Sequence, residues 1–223
     1  MPRASYAARI ALGCLGTGRR AAICARGADS GMEWNFAVQL DGKDIGTHRF
    51  ALAPANADTR QLTSDARFDV KLLGFTVYRN RHHAEESWRA NCLATISAST
   101  DDNGKATTVI GATGDAGLII TARKDKAAAT SGSAPACVMS FAYWNRALAT
   151  QRQLLDPGTG RIETVTITEL PTGPIEVHGQ HVAASGLRIT GLPHPIDVWY
   201  ANDRWVGLDT TVDGGRRLSY RLP

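Results

Sequence analysis

The chain has 223 residues and a formal net charge of +4, and 43% of its residues are hydrophobic. This composition is that of an ordinary globular protein, and the length fits one or at most two domains with a full core. The excess arginines are scattered along the chain rather than clustered, which argues against a nucleic-acid-binding groove, and we expect no nucleic-acid partner.

Residues 1–31 differ from the rest of the chain and look like a degenerate signal or leader segment. A secretory signal has an unbroken apolar run of about 7–15 residues, and here the pair Arg19-Arg20 interrupts a weak run. The segment is either a poor export signal or the product of a misplaced start codon. The run before Cys14 is too short for a lipoprotein signal, so we expect no lipid anchor there. We predict a periplasmic or secreted protein.

Residues 32–223 are predicted to form a single β domain, and no run there approaches the ~18 apolar residues that a membrane helix needs. Residues 33–40 alternate between apolar and polar side chains, as a half-buried strand does. Asp41-Gly42 is a hairpin signal, and the next strand carries His48 and Phe50 on its apolar face. A three-residue loop would place Trp34 opposite either His48 or Phe50.

The middle of the chain is interpreted as one long strand over residues 66–78, with a bulge at Leu73-Gly74 where the apolar parity changes. Residues 79–86 are then a polar strand tip, and residues 123–135, rich in Lys, Ala, Ser and Gly, a mobile loop. Further strands are predicted over residues 87–99, 107–112 and 118–122.

The segment after this loop is predicted to run as a strand over residues 137–144 and to pass through Asn145, a helix N-cap, into a helix over residues 146–155. Strands then follow to the C-terminus, and the last three alternate as an antiparallel meander. The predicted fold is therefore all-β: a strongly curved antiparallel sheet or a partly open barrel with one short helix.

Two cysteines, Cys92 and Cys137, lie outside the leader. An even pair in an exported chain favours a disulfide, and two buried free thiols are the alternative. A bridge would close a loop of about 45 residues, worth about 4 kcal/mol in the chain-entropy model.

Several motifs in order resemble a known family: LDGKDIGTHRF (40–50), FDVKLLGFTVYR (68–79), SFAYWN (140–145), LLDPGTG (154–160), IDVWY (196–200), WVGLD (205–209) and GRRLSYRL (215–222). They are similar to the bacterial domain-of-unknown-function family numbered 6134. The resemblance implies an exported protein with no established activity, and it supplies no catalytic residues. More loosely, the opening hairpin and closing meander look like the half-barrels that carry lipids across the periplasm.

No metal site or cofactor is predicted. The densest cluster of metal-ligating types lies within the predicted polar tip: His82, His83, Glu85 and Glu86. A zinc site needs three or four converging ligands, and adjacent histidines on a loop diverge, so we interpret the cluster as a solvated strand tip.

His48 shares a strand face with Phe50 and should point inward. It is either a core polar group with internal hydrogen-bond partners or the polar anchor of an apolar pocket. The residues predicted to line such a pocket are His48, Phe50, Glu86, Trp88, Phe141, Tyr143 and Trp144.

Three functions compete. The sequence favours a non-enzymatic envelope module that binds a hydrophobic small molecule or lipid in a concave β face. The alternatives are a structural or assembly partner at the cell envelope and an enzyme that uses His48 and Glu86 as an acid–base pair. The sequence does not indicate the oligomeric state.

Overall fold

A computed structural model describes residues 31–223, so the predicted leader, with Cys14, lies almost wholly outside the described residues. Within them the protein is all-β. The elements are β1 Met32–Leu40, β2 Lys43–Leu52, β3 Thr59–Leu72, β4 Phe75–Arg89, β5 Cys92–Asp102, β6 Lys105–Gly114, β7 Gly117–Lys124, β8 Thr130–Ala134, β9 Met139–Ser140, a 3₁₀ helix Arg146–Thr150, β10 Gln153–Leu155, β11 Ile162–Thr164, β12 Thr166–Val177, β13 Gln180–Thr190, β14 Ile196–Ala201, β15 Arg204–Val212, a 3₁₀ turn Asp213–Gly215 and β16 Arg216–Arg221.

Thirteen strands form one antiparallel sheet in the order β12-β13-β14-β15-β16-β1-β2-β3-β4-β5-β6-β7-β8. Neighbours in this order are mostly neighbours in sequence, joined by hairpins, and β16 pairs with β1 to link the C-terminal meander to the N-terminal strands. The edge strands β12 and β8 do not pair with each other, so the sheet stays open. The predicted curved antiparallel sheet is confirmed.

The chain between the two edges, residues 138–165, crosses the concave face, and we call it the inner segment. Its strands β9, β10 and β11 form a small second sheet. Leu148, Leu154 and Leu155 in this segment are fully buried and belong to the main core. Tyr143 ties it to the far half of the sheet, because its carbonyl accepts a 2.8 Å hydrogen bond from the Tyr200 hydroxyl.

A disulfide between Cys92 and Cys137 fixes the start of the inner segment to the sheet, as predicted. Cys92 opens β5, and Cys137 directly precedes the inner segment. The backbone N–H of Leu93 also donates to the carbonyl of Val138 at 3.1 Å. The bridge therefore anchors the point at which the chain leaves the sheet edge for the concave face.

The first hairpin turns tighter than predicted. Asp41 and Gly42 alone connect β1 to β2, both with positive φ, as in a type I′ turn. A three-residue loop would offset the pairing of the two strands by one residue. That offset arises instead from an irregularity between Val38 and Gln39. Trp34 lies opposite Phe50, one of the two predicted partners.

The prediction of one long strand with a bulge at Leu73-Gly74 was wrong. These two residues form a hairpin turn between β3 and β4, and the apolar parity changes there because the chain reverses direction. Residues 79–86 consequently lie within β4 rather than in a polar tip, and residues 80–86 are paired on both sides. The predicted mobile loop likewise contains the edge strand β8.

The helix predicted over residues 146–155 is shorter than expected. A 3₁₀ helix ends at Thr150, and residues 153–155 form β10. Asn145 caps the helix as predicted, since its side chain accepts from the backbone N–H of Ala147 at 3.0 Å. Leu148, Gln151 and Leu155 fall at helical spacing, which suggested the longer helix, but the adjacent Leu154 and Leu155 are both buried between the layers.

Candidate functional site

A cavity of about 290 Å³ lies between the concave face of the sheet and the inner segment. Six of the seven predicted site residues line it: His48, Phe50, Glu86, Phe141, Tyr143 and Trp144. Trp88, the seventh, lies behind the wall. Its indole packs edge-on against Trp144 with ring centroids 5.5 Å apart.

Period-two alternation builds the sheet side of this cavity, because every second side chain of a strand points to the same face. In β2 these are His48 and Phe50. The adjacent strands contribute a longer series from β3 and β4: Leu62, Ser64, Ala66, Phe68, Asn80, His82, Ala84 and Glu86. Sequence reasoning missed most of these because the β3–β4 reversal was not recognised.

His48 forms hydrogen bonds through both of its ring nitrogens. Nε2 lies 2.8 Å from the Ser64 hydroxyl, and Nδ1 lies 3.3 Å from the Tyr220 hydroxyl. The ring also stacks on Phe50, with centroids 4.0 Å apart. Burial, assisted by the nearby His82, lowers the pKa of His48 to about 3, so the ring stays neutral at physiological pH.

Glu86 is a buried ionisable residue of the cavity wall, with only 3% of its surface exposed. It accepts a 3.0 Å hydrogen bond from Trp88 Nε1. Burial raises the pKa of Glu86 to about 7, although hydrogen bonds from Ser140 and Trp88 act in the opposite direction. A large fraction of Glu86 is therefore a neutral carboxylic acid near neutral pH, able to donate a hydrogen bond as well as accept one.

His82, which we expected on a solvated tip, points into the cavity instead. Its Nδ1 lies 2.8 Å from the Thr100 hydroxyl, and burial lowers its pKa. His83, the next residue, points to the other face and lies 2.7 Å from Asp65. The two histidines therefore diverge, as expected, because they alternate along a strand.

The inner segment closes the cavity with Phe141, Tyr143, Trp144 and a turn at Asp156. Asp156 holds this turn together, because its side chain accepts from the backbone N–H of Gly158 at 2.8 Å and from the Thr159 hydroxyl at 2.7 Å. The indole N–H of Trp144 is buried and has no hydrogen-bond partner among residues 31–223. A buried donor of this kind costs about 1–3 kcal/mol.

Ser64 and His48 are the residue types of a nucleophile and its general base, but the lowered pKa of His48 does not suit that role. A general base works best when its pKa is near the ambient pH, and His48 is far below that. The group on its second nitrogen is the neutral phenol of Tyr220 rather than a carboxylate that would stabilise an imidazolium.

The proposed acid–base pair of His48 and Glu86 is not in direct contact. His48 lies opposite Ala66 and Glu86 opposite Leu62, four residues apart along β3, or about 13 Å at the rise of a strand. In the described part of the chain, no group of three His, Cys, Asp or Glu residues is arranged to hold a metal ion. The polar groups of the cavity are therefore spread along its length.

These features define an all-β protein with one open, curved antiparallel sheet whose concave face is covered by its own inner segment. The model of the family described as domain of unknown function DUF6134 matches residues 36–223, so the chain belongs to that family. No curated protein matches the chain. No helix among the described residues is long and apolar enough to cross a membrane.

A solved structure shares this fold. It is the crystal structure of a beta-barrel-like protein of domain of unknown function DUF1849 from Brucella abortus. The two chains are 11% identical, the match covers 88% of this chain and 97% of the other, and the TM-score is 0.61. At this identity the similarity extends to the fold alone, and it assigns no function to the cavity.

Proposed function

We propose that this protein is a non-enzymatic binding module that holds a hydrophobic small molecule, or one end of a lipid chain, in the cavity on its concave face. The observation that carries the proposal is the lining of the cavity. Aromatic and aliphatic side chains from the sheet face those of the inner segment. The polar side chains among them are His48, Ser64, Asn80, His82, Glu86, Thr100, Ser140 and Asp156. Ligand sites have this composition, mostly apolar with a few placed polar groups.

The volume limits the ligand. About 290 Å³ holds roughly ten heavy atoms at the ~30 Å³ that a water molecule occupies in the liquid. A whole phospholipid is too large, so a larger lipid would place only one end inside. The neutral anchors favour an uncharged polar end, because neither His48 nor His82 carries a charge at neutral pH and Glu86 repels anions when ionised.

We also propose that the protein works in the periplasm or is secreted. The Cys92–Cys137 disulfide supports this, because disulfides persist in oxidising compartments and are rare in the cytosol. Cell fractionation with a tagged full-length chain tests the proposal. We expect the oxidised protein in the periplasmic or extracellular fraction, and a cytosolic, reduced protein would contradict it.

Titration with 1-naphthol, a fluorescent probe of about the size that the cavity admits, tests the binding function. The wild-type chain should show saturable binding at one site. Ala66→Leu adds side-chain volume at a cavity wall, and we expect it to weaken binding by at least about tenfold, because the probe loses the apolar contact area that the cavity offers. Unfolding in urea, measured in parallel, reports whether the variant is folded.

Ala51→Leu is the matched control. Ala51 lies in β2 beside Phe50, so its side chain points away from the cavity face. The control should bind the probe as the wild type does. Loss of binding in both variants, or no saturable binding in the wild type, would contradict the proposed function.

A further inference from the structure

The β3–β4 hairpin projects beyond the sheet. The pairing of β3 with β2 ends at Phe68, and the pairing of β4 with β5 ends at Asn80. Past these residues the two strands pair only with each other. Near the root, the Arg79 carbonyl still accepts a 2.8 Å hydrogen bond from the backbone N–H of Asn103, and the Tyr78 hydroxyl is hydrogen-bonded to Asp102. At about 3.3 Å per residue, the Leu73-Gly74 turn lies about 16 Å beyond Phe68, the last residue of β3 that is also paired with β2.

The end of this ribbon is apolar on both faces. Leu73 is 90% exposed and Phe75 77% exposed. The exposed large apolar residues that cluster here, which we call the apolar tip, are Leu72, Leu73, Phe75, Val77 and Tyr78. A concentration of this kind at one protruding point marks an interaction site rather than ordinary surface.

Leu73 is also an unfavourable residue for its position in the turn. Its φ of 48° lies in the left-handed region, which favours Gly, Asn and Asp over a residue such as Leu. Four other two-residue hairpin turns with two positive φ values begin with a polar residue: Asp41, Asn103, His178 and Asn202. The chain therefore places an apolar side chain at the tip at a conformational cost that these four turns avoid. Ala90, with a φ of 51° in the β4–β5 turn, is also apolar, but its side chain is a single methyl group.

Cationic side chains lie along one face of the ribbon near its root. They are Arg67, Arg79 and Arg81, and Lys71 lies closer to the turn. The single carboxylate on the same ribbon is Asp69, whose oxygens lie 3.1 Å from Arg79 and 2.6 Å from Arg81. Even after this pairing the ribbon is cationic, although Asp101 and Asp102 of the neighbouring hairpin lie beside its root.

We propose that the apolar tip inserts into one leaflet of a phospholipid bilayer, with Lys71 and the cationic face of the ribbon at the level of anionic headgroups. From Lys71 to Leu73 the ribbon advances about 7 Å, which matches the 5–10 Å depth that interfacial elements reach. Lys and Arg at the membrane surface interact favourably with anionic lipids. This docking does not depend on the cavity and would hold if the cavity bound nothing.

A protein partner fits the geometry less well. A standard protein interface takes about 20–30 residues on each side, whereas only residues 69–79 project from the sheet. The apolar residues wrap around the end of a narrow ribbon and present no flat patch for a second copy of the chain. Insertion into a fluid phase accommodates both faces of the ribbon at once.

Vesicle co-sedimentation with the oxidised full-length chain tests the proposal. We expect the wild type to bind vesicles of phosphatidylcholine with about one-third phosphatidylglycerol. The variant Leu73→Asn with Phe75→Thr should bind at least about tenfold more weakly, because two apolar side chains are lost from the buried end. Both substitutions suit their backbone positions, so the hairpin should remain folded.

Ile110→Thr with Ile119→Thr is the matched control, since these residues are 63% and 56% exposed but lie in β6 and β7. It should bind vesicles like the wild type.

Lys71→Gln should weaken binding to the anionic vesicles and not to pure phosphatidylcholine. Equal binding by the tip variant and the wild type, or no wild-type binding, would overturn the proposal, as would a wild-type dimer that the tip variant converts to monomer without any vesicle binding.

Discussion

Replacing Cys92 and Cys137 together by serine is expected to lower the free energy of unfolding by about 4 kcal/mol. The bridge spans a sequence separation of 45 residues, and the chain-entropy model gives about 4 kcal/mol for a loop of this length. It also holds the inner segment at the edge of the sheet, so its loss should free that segment first. Urea unfolding followed by tryptophan fluorescence measures the change.

Reduction of the wild-type protein provides the control. The reduced wild type and the double serine variant should unfold at the same urea concentration, because both lack the same link. The double variant should also bind 1-naphthol more weakly, since Phe141, Tyr143 and Trp144 follow Cys137 in the chain and line the cavity. A double variant as stable as the oxidised wild type would contradict this role for the bridge.

Glu86→Gln is expected to remove a pH-dependent loss of stability. The pKa of Glu86 is raised from 4.5 to about 7 in the folded protein. Between these values the folded chain keeps a proton that the unfolded chain has released, so this residue makes stability fall as pH rises through this window. The full difference is about 3 kcal/mol at about 1.4 kcal/mol for each pKa unit.

The comparison uses unfolding free energies of the wild type and Glu86→Gln at about pH 5 and about pH 8. Relative to the wild type, the variant should gain about 3 kcal/mol at the higher pH. The lowered pKa values of His48 and His82 act in the opposite direction, because the unfolded chain takes up protons as the pH falls below 6.5. They are present in both proteins and cancel. An equal stability difference at both pH values would contradict a buried, neutral Glu86.

The sequence predicted the fold class and most of the site because both depend on alternation. Trp34, Phe36 and Val38 in β1 and Val198 and Tyr200 in β14 point to one face by strict period two, and all of them are buried. The inward placement of His48 and Phe50 follows from the same rule. Cys92 and Cys137 could be paired because they are the two cysteines beyond the leader.

The errors arose where a turn carried no turn residue. Leu73-Gly74 has an apolar residue at a position where four other hairpins have Asp, Asn or His, so the reversal resembled a bulge. Because of this error, residues 79–86 were assigned to a polar tip, and Asn80 and His82 were omitted from the predicted lining of the cavity.

The structure of the inner segment was also predicted incorrectly. Leu148, Leu154 and Leu155 are buried between two layers, so neither helical nor strand periodicity distinguishes them. The parallel pairing of β9 with β10 joins residues on either side of the 3₁₀ helix, and no local pattern encodes such a contact. The cavity exists because this segment covers the sheet, so its closed side could not be derived from alternation alone.

Mass spectrometry of a solvent extract tests the central claim most directly. The protein would be produced in the periplasm, kept oxidised and purified without unfolding, beside the Ala66→Leu and Ala51→Leu variants. We predict a small apolar molecule with the wild type and with Ala51→Leu, and its depletion from Ala66→Leu. An extract that holds nothing above background for any of the three, or the same molecule in equal amount for all three, would contradict a ligand in the concave cavity.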